Sequence, residues 1–358
     1  MKITSILPRV AGKARRIFKS FGIGAQVRET LIYSQSSQSE KRLLIIASGD
    51  VSIPPDGWGA VETIICETIP IYLSAGFEVM VVNSKAIQDL YRARSFCPTV
   101  ILVHDDIATR RARLIFGNTP IITVTHYGLA ATEDLWHSSY RKVLKKVAKA
   151  DHIVCLNPRI KDQLSKYIEP SKLIICPNGS SFHAQPVEIH NRELICVGKV
   201  EPRKKQYELF NTLSKSDKCI RFVGEVADER VKDALRRDAL AQRFFVGPWS
   251  RTKLVESLSN FEALILISSG EADALVLYEA QMAGLPILVT LDALGSQDSS
   301  LDWIQVIPDN PTQLDIEIAL SSVKTSHFEI SKYARANYSW DKRNSNLLNL
   351  IKQESKRN

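Results

Sequence analysis

Thirty residues, Phe261 to Thr290, constrain what this chain can fold into more than any other stretch: FEALILISSGEADALVLYEAQMAGLPILVT. Ala263–Ile267 is an almost wholly apolar run, the pattern of a short strand buried on both faces. Ser268-Ser269-Gly270 breaks it. Leu275 to Ala283 then reads as a helix. Gly284 followed by Pro286 is a stop signal, because glycine closes a helix in the left-handed conformation and proline cannot continue one. Ile287–Val289 is the next buried strand. This is a strand–loop–helix–strand unit, and its loop lies at a strand's carboxyl end, where open α/β sheets bind ligands.

Two carboxylates stand in this unit. Glu271 lies in the loop. Glu279 lies on the helix with Leu275, Val276, Met282 and Ala283 as its i±3 and i±4 neighbours, so it sits on the apolar face, where an unpaired charge costs several kcal/mol. The plain structural account is that Glu279 bonds backbone amides or a nearby lysine. Glu271, eight residues earlier at the mouth of the same helix, favours a ligand instead. A helix N-terminus attracts phosphate, and two acids beside it can accept hydrogen bonds from sugar and ribose hydroxyls.

The chain has 358 residues, enough for two domains with proper cores. Strands and helices alternate along it. Leu43–Ala47 is a first strand, Ala60–Ala75 a helix, and Phe77–Val82, Val100–His104 and Ile121–Thr125 further strands. A long helix then runs to about Ala150, and His152–Leu156 and Leu173–Cys176 complete the first half. Glu193–Val197, Cys219–Val223 and Phe244–Val246 continue the series; residues 311–325 and the tail from Trp340 read as helices. Alternating βα units imply parallel sheets wrapped by helices.

The six cysteines are scattered, with no CxxC pair and no Cys/His cluster, so they read as reduced core residues rather than a metal site or disulfide frame. No apolar run approaches the length of a membrane span. The net charge is +8 and unevenly placed: residues 1–28 hold seven cations and no acid. That segment reads as a short basic amphipathic helix, either an interfacial anchor on anionic lipid, a solvated arm or a transit peptide. Ser34–Glu40 reads as a polar linker. A second basic run, residues 141–149, interleaves Arg141, Lys142, Lys145, Lys146 and Lys149 with apolar residues. No zinc-finger, RNP or helix-turn-helix signature supports nucleic acid.

Three further places carry chemistry. Between the first strand and the first helix, Gly57 and Gly59 let the backbone approach a ligand closely, and Glu62 follows in the helix's first turn. His126 ends a strand and can hydrogen-bond a sugar or a leaving phosphate; His104 also ends a strand. Gly198 to Lys205, GKVEPRKK, opens a helix, and Lys199 and Lys204 there make a diphosphate site by charge and amide dipoles together. The loop is not GxGxxG, and no acid is placed to catch a ribose, which weighs against a nicotinamide-dependent oxidoreductase.

Glu271, seven intervening residues, Glu279, then Ala280, Gly284 and Pro286 as Ala-x-x-x-Gly-x-Pro resemble the donor-site signature of retaining glycosyltransferases of family 4, which have the GT-B fold. The resemblance covers about residues 42–345. It implies an α/β chain of two Rossmann-like domains with parallel sheets facing an interdomain cleft. Residues 1–41 would be a basic arm and linker, 42–185 an acceptor-side domain, 186–339 a nucleotide-sugar donor domain, and 340–358 a helix crossing back to the first. The turn Pro177-Asn178-Gly179 matches the family's domain junction. By resemblance His126 contacts the donor sugar and Glu271 holds its hydroxyls, both as catalytic residues. Glu279 binds the ribose. Lys199, Lys204 and the amides of Leu275 and Val276 bind the diphosphate, Gly57 and Gly59 face it, and Glu62 and His104 lie on the acceptor side. Lys199 replaces the family's Arg and Lys205 its Gly; Asp273 and Ala274 replace a Phe-Gly in the donor loop.

The implied activity moves a hexosyl group from a nucleotide-diphosphate sugar to an acceptor hydroxyl with retained configuration. It needs no metal, since no Asp-x-Asp motif occurs, and no cofactor beyond the co-substrate. The acceptor would be a glycan or a lipid-linked glycan, in polysaccharide or glycolipid assembly. The location would be cytoplasmic, with residues 1–28 and 141–149 touching an anionic membrane from its inner face. A sugar-nucleotide epimerase and a non-catalytic binding scaffold of the same fold stay open.

Overall fold

The structure, a computed structural model, describes residues 13–21, 26–34, 40–55, 57, 59–126, 137–187, 193–215 and 218–357, and only the backbone of 13–21 and 137–140. The chain divides into two compact units. Residues 1–55, 59–177 and 340–358 form the first, and 56–58 with 178–339 form the second. The division at Pro177 and Asn178 comes earlier than the expected boundary after residue 185, and the tail from Trp340 groups with the first unit.

The first unit is built on eight strands: β1 Lys13–Phe21, β2 Val27–Ser34, β3 Arg42–Ala47, β4 Glu78–Ser84, β5 Val100–Val103, β6 Ile121–Thr125, β7 His152–Cys155 and β8 Leu173–Ile175. Their order in the sheet is β1-β2-β4-β3-β5-β6-β7-β8. From β4 to β8 every pairing is parallel, and Ile45 of β3 lies between Val81 of β4 and Leu102 of β5. β3, β5 and β6 are buried along nearly their whole length, as strands covered on both faces must be. Helices Ala60–Ser74, Ile87–Arg92, Ala108–Phe116, His137–Val147 and Pro158–Ser165 fall between the strands. Strand order reverses between β3 and β5, so the loops after these two strands flank this sheet's switch point.

The N-terminal expectation is corrected here. Lys13–Phe21 is not helical, and the folded chain begins well before Arg42. β1 pairs antiparallel with β2, and β2 pairs antiparallel with β4, extending the sheet at one edge. The remainder of the arm and linker, residues 1–12, 22–25 and 35–39, lies outside the described residues. In β2 alternate residues Val27, Glu29 and Leu31 are buried. An acid in an inward position hides this period-two pattern from a hydropathy reading. One oxygen of Glu29, Oε2, is held there, accepting from the Ile53 amide at 2.9 Å and from Asn83 Nδ2 at 3.0 Å.

The second unit is a six-stranded, wholly parallel sheet of β9 Leu194–Val197, β10 Ile220–Val223, β11 Phe245–Gly247, β12 Ala263–Leu266, β13 Ile287–Val289 and β14 Ile304–Val306. The order is β11-β10-β9-β12-β13-β14, a doubly wound sheet whose direction of growth reverses between β9 and β12. Its two faces carry separate cores. Ile195, Leu264, Leu266, Ile287 and Val289 pack on one, while Leu194, Cys196, Ala263, Ile265 and Leu288 pack on the other. Helix Leu275–Met282 lies in the first core with helix His327–Tyr338, which is absent from the expectations above and opens on a Ser326/Glu329 capping box.

Candidate functional site

In the second unit, the loops after β9 and β12 flank the switch point, and the cationic stretch meets Glu271 there. Arg203 Nη1 donates to Glu271 Oε1 at 3.0 Å and to Ser268 Oγ at 3.1 Å, and it also reaches the Gly270 carbonyl. Its Nη2 donates to Glu201 at 2.8 Å. Lys204 Nζ lies 3.4 Å from the same Glu271 oxygen. Gly198 makes room for this ammonium: a Cβ there would sit 2.8 Å from Lys204 Nζ, and the backbone has φ +144°. Burial alone would raise the Glu271 pKa; the adjacent Lys204 and Arg203 charges outweigh it and hold the carboxyl below its ordinary range.

The structure thus brings Lys204 and Glu271 together. Lys199 does not join them: it is exposed, and among the described residues its ammonium has no ion-pair partner. The residue missing from the sequence reading is Arg203. Its position, next to Lys204 on the loop after β9, was the available signal. Leu275 and Val276 head the helix beyond Glu271, whose N-cap Ala274 supplies no capping oxygen for the first amides. Asp273, where the family pattern has Phe, fastens this loop. It accepts from the Asn178 amide at 2.8 Å, the Tyr278 hydroxyl at 2.6 Å and the Ser296 amide at 3.0 Å.

Glu279 is 4% exposed and is paired with Arg251, a second cation the sequence reading passed over. Arg251 follows β11 and also lies 4.9 Å from the centroid of the Phe182 ring. Gly57 groups with this unit and has φ +136°. A Cβ there would lie 2.9 Å from the Trp249 carbonyl oxygen.

In the first unit, His104 and His126 follow the adjacent strands β5 and β6, and their rings meet: His104 Nδ1 and His126 Nε2 are 2.7 Å apart. Burial depresses both, His104 well below the ordinary histidine value and His126 to about 4, so both are neutral near pH 7. Glu62 is buried in the first turn of its helix and accepts from Ser48 Oγ at 3.2 Å; burial first, and the Asp50 charge besides, raise its pKa. Gly59, at φ +124°, is required beside it, because a Cβ would lie 2.9 Å from Glu62 Oε2. Among the described residues no His/Cys/Asp/Glu group is arranged to hold a metal, and no helix is long and apolar enough to cross a membrane.

This architecture recurs in solved structures. Sucrose-phosphate synthase from Thermosynechococcus elongatus superposes with a TM-score of 0.72 at 12% identity, over 88% of this chain and 99% of that one. HepE of Anabaena, in complex with UDP and glucose, gives 0.66 at 12% identity, over 88% and 100%. Both are GT-B glycosyltransferases. The chain has the GT-B fold. No protein-family profile matches this GT-B chain. A glycogen synthase of Mycobacterium tuberculosis is 24% identical over 219 residues, 55% of this chain and 53% of the relative, so the chain spans about half the length of the curated relatives it matches.

Proposed function

We propose that this GT-B protein is a retaining, metal-independent glycosyltransferase that transfers a hexosyl group from a nucleotide-diphosphate sugar to a glycan or lipid-linked acceptor hydroxyl. The observation that carries this reading is Glu271 held between Arg203 and Lys204 at the switch point of the second sheet. Two cations beside uncapped helix amides suit a diphosphate, and a carboxylate kept ionised can accept from sugar hydroxyls. HepE, with its bound UDP and glucose, supports a nucleotide-sugar partner of this kind.

In the proposed reaction the acceptor oxygen bonds to the anomeric carbon on the face the phosphate leaves. The bond from that carbon to the phosphate oxygen breaks, its electron pair stays on the phosphate, and the acceptor proton passes to the leaving oxygen. Arg203, Lys204 and the amides of Leu275 and Val276 stabilise the charge that develops on the diphosphate. Glu279 takes the ribose, and neutral His126 takes a donor-sugar oxygen. The setting we propose is polysaccharide or glycolipid assembly at the cytoplasmic face of a membrane.

The test is a panel of nucleotide sugars, read first by thermal stabilisation and then by transfer. A ligand at one hundred times its Kd adds roughly 2.7 kcal/mol, a readily seen shift. Glu271→Gln keeps the side chain's volume and removes its charge. It is expected to lower transfer by at least about 100-fold while leaving UDP binding as tight or tighter, since the Glu271 charge no longer offsets Lys204 and Arg203. Undiminished transfer by this variant would overturn the site.

A further inference from the structure

The two histidines of the first unit form a more specific device than two separate contacts. Their ring centroids are 4.9 Å apart and their planes differ by 14°. The 2.7 Å between the nitrogens plus the two ring radii already account for the centroid separation. The rings therefore meet edge to edge in nearly one plane, with the shared hydrogen on the in-plane lone-pair direction, rather than face to face. Both rings are neutral, so one hydrogen lies between them and either ring can own it.

The far side of His104 decides the ownership. His104 is 3% exposed, and its Nε2 is buried with no hydrogen-bond partner. Were His126 the donor, His104 would carry its own hydrogen on that Nε2, a buried N–H without an acceptor. Were His104 the donor through Nδ1, Nε2 would be a bare acceptor. Orphaned buried N–H groups are the rarer of the two defects. With Nε2 of His126 accepting from His104, the hydrogen of His126 must sit on Nδ1, and among the described residues that nitrogen has no partner.

We propose that His104 is a positioning residue that sets the tautomer of His126, so that His126 presents an Nδ1–H donor to a ligand oxygen. This builds on the reading of His126 as a donor-sugar contact, and it makes that contact one-way: the histidine donates and the ligand supplies a lone pair, as a sugar hydroxyl or phosphate oxygen can.

The experiment is a ¹⁵N–¹H correlation of the imidazole nitrogens in the full chain at pH 7, with His126→Asn and His104→Asn assigning the signals. It needs no substrate, so it is independent of whether transfer is found. The expected result is hydrogen on Nδ1 in both rings; hydrogen on Nε2 of His126 would overturn the proposal. In the transfer assay His104→Leu, which has no donor, is expected to lose about tenfold in rate, as one lost hydrogen bond predicts. His104→Asn, whose amide donates from the place of Nδ1, is expected to recover most of it. Equal rates in the two variants would reject the positioning role even if the tautomer is as stated.

Discussion

A neutral, half-buried histidine at a strand's end, His126, stores a pH dependence that can be worked out in sign. The unfolded chain's histidine titrates near 6.5 and His126 in the fold near 4. Between these values the unfolded state binds the proton more readily, so this stability is present above 6.5 and is lost as pH falls towards 4. At about 1.4 kcal/mol per pKa unit, the difference amounts to at most about 3.5 kcal/mol. Urea unfolding at pH 7 and pH 4.5 should show wild type losing more stability than His126→Asn over that interval. Equal losses would mean that burial does not set the His126 proton affinity. The Glu271 carboxyl has the opposite ionic character and the same sign: its folded pKa is depressed, so its contribution is also lost on acidification, below the ordinary carboxylate range.

At the scale of the element, helix Leu275–Met282 shows what an acid on an apolar face requires. Glu279 is buried against Arg251, and neither is replaced cheaply alone. Arg251→Met should leave an unpaired buried carboxylate and cost about 3 kcal/mol, whereas the double variant Arg251→Met/Glu279→Gln should recover a large part of that. Chemical denaturation of the four proteins measures the coupling, and strict additivity would show that the pair is not a unit. The helix, its strand neighbours and the buried acid were legible in the sequence, because period-two and period-3.6 patterns and a Gly-x-Pro stop are local signals. Arg251 was not, since its partner is 28 residues away and only the fold brings the two together. Lys205 shows the converse. It stands where the family pattern has glycine, and its backbone still takes the left-handed conformation, φ +51°, so the turn persists without its preferred residue. β2 escaped detection for a different reason, because Glu29 occupies an inward position whose partners, Ile53 and Asn83, lie elsewhere in the chain.

For the whole molecule, the excess of eight positive charges has to be placed before it means anything. Part of it lies on strands, since Lys13–Phe21 pairs into the first sheet, and removing residues 1–28 would strip an edge of that sheet as well as its cations. The cleaner probe is the end of helix His137–Val147, where Arg141, Lys142 and Lys145, with Lys149 just beyond, are all exposed. Near an anionic leaflet each such cation contributes about 1 kcal/mol, and the contribution fades beyond a Debye length of about 10 Å at 0.1 M salt. If this face meets the membrane, the full chain should sediment with phosphatidylserine vesicles at low salt and be released as salt rises. Changing these four exposed cations to glutamine should weaken the association by roughly 4 kcal/mol, about a thousandfold, without altering UDP-induced thermal stabilisation, because the Glu271 cluster is built from the other unit's own residues. Equal sedimentation of the variant and the parent would remove these four cations from any membrane contact.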